Sequence, residues 1–146
     1  MFEIISHRFG QTPGKAIARV TVGDTWNQLL FSATDLDADG NEFPANLTGR
    51  TYALQVRPVG SASVTFMNLT AEDFVLGQSA EALQYDIDRA KPPGTTFDQL
   101  FIWAKPEQTR MTHGEWEFDL QETGPGDDIT TLYRGPYFAE GNVTRG

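Results

Sequence analysis

The 146-residue chain has no cysteine, which removes disulfide frameworks, thiolate nucleophiles and Cys-zinc sites from consideration. Basic residues are scarce: 11 Lys and Arg stand against 20 Asp and Glu, a net charge of −9. Such a surface repels phosphate backbones and anionic bilayers, so neither a nucleic-acid nor a membrane partner is expected. No run approaches the ~20 apolar residues of a membrane helix, and Met1 to Arg8 lacks the basic and apolar regions of a signal peptide. Synthesis in the cytoplasm is expected. Long amphipathic helical patterns, internal repeats and low-complexity tracts are missing too. The 2 histidines, His7 and His113, fall in no ligand spacing, and no P-loop, GxGxxG or GxSxG occurs. No catalytic residue, metal ligand or cofactor is expected.

What the chain does have is alternation. In Gly114-Glu115-Trp116-Glu117-Phe118-Asp119-Leu120, apolar and acidic residues take turns, the pattern of a strand with a dry face and a carboxylate face. A breaker-rich stretch, Glu122 to Asp128, and a second alternating run from Ile129 to Arg134 complete a hairpin. Similar runs occur at Ala18 to Val22, Leu29 to Ala33, Tyr52 to Arg57 and Leu83 to Asp88, and an apolar run at Val64 to Leu69. Leu100 to Trp103 is apolar on both faces, as in a central strand or one covered by a neighbouring subunit. The 14 glycines and 8 prolines sit mostly between these runs. Thr70 to Phe74 reads as a cap and acidic first turn of one short helix. The fold class is therefore all-β: an antiparallel β-sandwich of about seven strands with at most one short helix, in a single domain spanning residues 1–146.

Each candidate for chemistry has a plain structural alternative. Asp35-Leu36-Asp37-Ala38-Asp39-Gly40 opens like an EF-hand loop, but the twelfth position is Asn46 and no helices flank it, so a hairpin turn is the better reading. Glu115, Glu117, Asp119 and Glu122 are read as a carboxylate ladder on one face. Glycosidases use paired carboxylates, yet nothing else in the chain suggests a cleft or a pKa-splitting environment, and a solvated face is expected. Asn-x-Thr sequons begin at Asn46, Asn68 and Asn142 and matter only in a glycosylating pathway. Trp103 and Phe101 either pack in the core or present a surface for a sugar or a protein.

The order Gly23-Asp24-Thr25-Trp26, Asp37-Ala38-Asp39-Gly40, then Leu47-Thr48-Gly49 followed by Leu54-Gln55-Val56-Arg57 resembles small immunoglobulin-like domains among the structural proteins of tailed bacteriophages. Gly114 to Leu120, Leu132-Tyr133-Arg134-Gly135 and the terminal Asn142-Val143-Thr144-Arg145 resemble that family's closing hairpin and tail. The resemblance implies an immunoglobulin-like virion protein, similar to the N-terminal domain of baseplate upper proteins. Such a protein is an adaptor in a tail, baseplate or neck, holding fibres or neighbouring virion proteins in several symmetric copies. It carries no catalytic residues across. Alternatives are a head decoration protein and a carbohydrate-binding module stacking sugar on Trp103, Tyr137 or Trp116. Residues 1–15 are read as an N-terminal arm and 137–146 as a C-terminal tail, both outside the core. Their apolar side chains, Phe2, Ile4, Ile5, Phe9, Tyr137 and Phe138, are expected to contact partners together with Trp103.

Overall fold

The computed structural model describes residues 2, 5–9, 14–60, 65–111 and 113–141, with Ile5 described by its backbone alone. The strands are β1 (Ile5–Arg8), β2 (Gly14–Lys15), β3 (Ala18–Thr21), β4 (Trp26–Leu36), β5 (Glu42–Pro44), β6 (Thr51–Pro58), β7 (Met67–Leu69), β8 (Phe74–Gly77), β9 (Gln99–Ala104), β10 (Gly114–Thr123) and β11 (Ile129–Glu140). One helix, α1, covers Ala80–Asp88. The strands form a sandwich. The first sheet runs β1-β4-β9-β8, with β5 also on β4; the second runs β2-β11-β10-β6-β7, with β3 continuing along β11.

Strand β10 organises the second sheet. Its dry face sets Phe118 opposite Val56 and Leu120 opposite Leu54 on β6, and all four are buried. From the first sheet, Phe31, Leu100 and Ile102 close the core, each without accessible surface. Period-two side-chain direction makes the placements on β10, β6 and β9 a consequence of register, whereas on β4 a bulge between Leu29 and Phe31 breaks the expected shared face, turning Leu29 outward and Phe31 inward. Asp37-Ala38-Asp39-Gly40 forms the turn between β4 and β5, with Gly40 at φ +84° and its N–H donating to the Asp37 carbonyl at 3.0 Å. Ala71–Asp73 is a single 3-10 turn, the Thr70 N–H donating to Asp73 Oδ2 at 2.9 Å.

Three expectations are corrected. First, the strand count is 11 among the described residues, because short pieces such as β2, β5 and β8, of two to four residues, carry little periodicity of their own. Second, Leu83, Tyr85 and Ile87 lie on α1, not on a strand facing the core. Ser79 Oγ accepts from the Ala82 N–H at 3.0 Å as N-cap, and Ala80-Glu81-Ala82-Leu83-Gln84 are strong helix formers. Tyr85 stacks on Phe43 at 5.8 Å outside the sandwich, while Leu83 and Ile87 are exposed.

Third, the arm and the tail hold core residues. Phe2 has no accessible surface and meets Phe118 edge-on at 5.7 Å. Its N–H donates to Gln28 Oε1 at 2.6 Å, and its carbonyl accepts from Gln28 Nε2. Strand β1 then pairs in parallel with β4, Ile5 opposite Phe31 and His7 opposite Ala33. Phe9 is half-buried against the core, its N–H donating to the Thr34 carbonyl at 3.0 Å. Past residues 10–13, β2 and β3 pair in parallel with β11 of the other sheet. At that junction a Cβ on Gly135 would lie 1.8 Å from the Ala16 carbonyl oxygen, so no other residue fits there without moving the strand. Tyr137 is fully buried on β11, edge-on to Trp26 at 5.9 Å, and Phe138 lies outward beneath the Arg19 guanidinium at 4.4 Å. Ile4 and residues 142–146 lie outside the described residues.

Three truncations test this packing. Phe2→Ala and Phe118→Ala are each expected to cost about 3 to 5 kcal/mol by chemical denaturation. Removal of residues 2–12 is expected to abolish the cooperative transition at ambient temperature. A Phe2→Ala loss under about 1 kcal/mol would place that ring outside the core.

Candidate interaction surface

The carboxylates of β10 divide between the two faces. Glu115, Glu117 and Asp119 point outward, but Glu122 shares parity with Phe118 and Leu120 and points into the sandwich. Its Oε2 accepts from the Tyr52 hydroxyl at 2.7 Å and its Oε1 from Arg50 Nη1 at 2.8 Å. The expected ladder is therefore broken at its fourth member. Asp119 is itself buried and bonded to Arg57 Nη2, in a cross-strand row with Gln55 and Arg134. Acids and bases interleave across this outer face, and a shallow groove of about 500 Å³ there is lined by Lys15, Arg57, Trp116, Asp119 and Arg134, among others.

The loop from Asp35 is committed in a similar way. Asp37 Oδ1 accepts the N–H groups of Asp39 and Asn41, both at 2.9 Å, so that carboxylate serves the turn itself.

Next to Glu122 lies a buried imidazole. His7 Nδ1 is 3.1 Å from the Tyr133 hydroxyl, and its ring is 5.0 Å from that of Phe31 and 6.3 Å from that of Phe9. Arg50 spans the two groups, its guanidinium 4.5 Å from the Phe9 ring centroid. Burial lowers the His7 pKa below 6.5; Glu122 pulls it up and Arg50 pushes it down again. Burial, reinforced by the Glu122 carboxylate, raises the Tyr52 pKa, and burial raises those of Tyr133 and Tyr137. These are groups held neutral inside a core.

Helix α1 is tied down by a second buried carboxylate. Asp86 has no accessible surface; its Oδ1 accepts from Thr96 Oγ1 at 2.7 Å and its Oδ2 from Gln78 Nε2 at 2.7 Å. The Thr96 and Thr95 N–H groups add bonds of 3.0 and 3.2 Å. Burial alone would raise the Asp86 pKa, but the bonds from Thr96, Gln78 and Thr95 outweigh it and hold the pKa below 3.8.

The outer face of the first sheet differs in kind. Register places Leu29, Phe101 and Val75 in one row across β4, β9 and β8, with Trp103 one step along β9 opposite Asn27. Val75 is 54% exposed and Trp103 53%, while Leu29 and Phe101 are half-exposed. The Phe101 ring lies across Gly77, where a Cβ would meet it at 2.6 Å. Trp103 is thus the surface member of its two-sided run. The three rings of the carbohydrate-platform alternative do not come together: Tyr137 is core, Trp103 is on this face, and Trp116 packs against Phe66 at 4.6 Å on the other sheet.

Two sheets around one aromatic-rich core, one outer face charged and the other apolar, define an all-β sandwich domain. Comparison with known families found no matching family model, and comparison with characterised proteins found no sequence match. Among the described residues, no helix is long and apolar enough to cross a membrane.

The buried imidazole gives a pH signature. The unfolded chain binds a proton at His7 below 6.5 and the folded chain resists it, so stability falls as pH drops from 6.5 toward the lowered folded value. The Asp86 pKa is lowered as well, and because this group is an acid held ionised, its contribution is present above 3.8 and lost only below that. Denaturant midpoints followed across this range are expected to show the first decline in the parent and not in His7→Asn. An identical decline in both would contradict a neutral buried imidazole.

Proposed function

We propose that this chain is a non-enzymatic structural protein of a tailed-phage virion. Its role is that of an immunoglobulin-like adaptor in the tail, baseplate or neck that holds fibres or neighbouring virion proteins. It is made in the cytoplasm of the bacterial host and built into the particle in several symmetric copies. The phage-family resemblance of residues 23–145 supports the setting. The observation that carries the assembly role is the exposed row of Leu29, Phe101 and Val75 with Trp103 beside it. Contiguous apolar surface rimmed by polar side chains is a common mark of a protein–protein contact, and Trp is enriched at such contacts. The net charge of −9 agrees with protein partners and not with nucleic acid.

Trp103→Glu in phage carrying this gene is expected to leave the melting temperature of the isolated protein within about 1 °C and to prevent incorporation into particles. Ile129→Glu, at a 67% exposed position on the hairpin of the opposite sheet, is the control and is expected to incorporate normally. Parent-level incorporation of Trp103→Glu would contradict the assignment.

A further inference from the structure

Four strands or strand pairs besides β8 leave a side unpaired among the described residues, and each is guarded. Strand β1 carries Arg8, bonded to Glu42. The β2–β3 edge is interrupted between Lys15 and Ala18 and bears Lys15 and Arg19. Strands β5 and β7 have three residues each, β5 holding Glu42 and Pro44. Charge, proline, interruption and brevity are the devices that keep edges from pairing with other chains. Strand β8 has none of the first three. It reads Phe74-Val75-Leu76-Gly77, ends the first sheet, and pairs on one side only, with β9. Phe74 and Leu76 point inward yet remain partly exposed, so the sandwich is open along this edge.

We propose that the free edge of β8 accepts one extended segment of a partner protein by β-augmentation. The segment carries apolar side chains at alternate positions and Lys or Arg at its ends. Backbone hydrogen bonds to the edge supply affinity, and the guest's alternate side chains extend the row Leu29, Phe101, Val75 by one strand. Charge selects the guest. Exposed Glu72 precedes the edge and exposed Glu81 follows it, in a chain of net charge −9, so a second copy would bring like charge to the same place. The proposal rests on reading this chain as an assembly module, but it turns on the backbone edge of β8, which the guest pairs with whether or not Trp103 is engaged.

The test uses the full chain and a synthetic peptide of about ten residues, Val and Thr alternating between Lys pairs, long enough to lie along a strand. Amide exchange by NMR is expected to show new protection within residues 74–77 on adding the peptide. A peptide of the same sequence with its central amides N-methylated is expected not to bind. Val75→Lys, an edge charge at an exposed position, is expected to weaken binding about tenfold or more without lowering the melting temperature. The proposal is overturned by unchanged exchange at 74–77, by equal binding of the N-methylated peptide, or by a concentration-dependent dimer that protects the same amides without peptide. If the edge fails while Trp103→Glu still blocks incorporation, the adaptor reading stands and the augmentation does not.

Discussion

The grip of the Gln28 side-chain amide on both the N–H and the carbonyl of Phe2 fixes the start of the chain inside the sandwich, and much of the fold depends on it. It seats an aromatic ring against Phe118 of the second sheet while its own strand, β4, belongs to the first. The segment that follows pairs with β4 and then with β11, so one stretch of chain binds both sheets by backbone hydrogen bonds. These are also the only parallel pairings among the described strands. A parallel partner needs a crossover, and here the crossover is the passage from one sheet to the other. The requirement for glycine at position 135, opposite the Ala16 carbonyl, follows from this arrangement.

Most polar groups inside the sandwich are paired, the buried Tyr137 hydroxyl, without a hydrogen-bond partner, being an exception. Glu122 meets Tyr52 and Arg50, His7 meets Tyr133, and Asp86 takes up four donors. Satisfying Asp86 turns α1 so that its carboxylate faces inward and Leu83 and Ile87 face solvent. Outside, the two sheets part ways. Interleaved charges on the second sheet neutralise one another, whereas the first sheet leaves Trp103 and Val75 in water beside an unguarded edge. That asymmetry is what supports the proposed contact face.

Much of the second sheet was legible in the sequence because β6 and β10 up to Leu120 alternate and period two fixes which side chains meet, whereas in β11 adjacent Leu132 and Tyr133 are both buried and Ile129 is exposed beyond a register shift. The Asp-Gly turn and the Thr70 cap were legible because their residues are chosen by backbone geometry. Leu83, Tyr85 and Ile87 misled because a short alternating run sits near the boundary between helix and strand, and the deciding groups, Ser79 and Phe43, act through a cap and a stack. Counting parity through Gln121 would have placed Glu122 inside. Burial of Phe2 and Tyr137 had no local signal, since it comes from tertiary pairing of chain segments whose sequence pattern is weak. Leu100 to Trp103 is apolar on both faces, and only the register with β4 and β8 shows that Trp103 points outward.

A photo-crosslinking amino acid at position 103 in assembled particles tests the central claim most directly, with position 129 on the opposite sheet as the comparison. The account predicts an adduct to another virion protein from position 103 and none from position 129. Adducts only from position 129, or absence of the chain from purified particles, would contradict it.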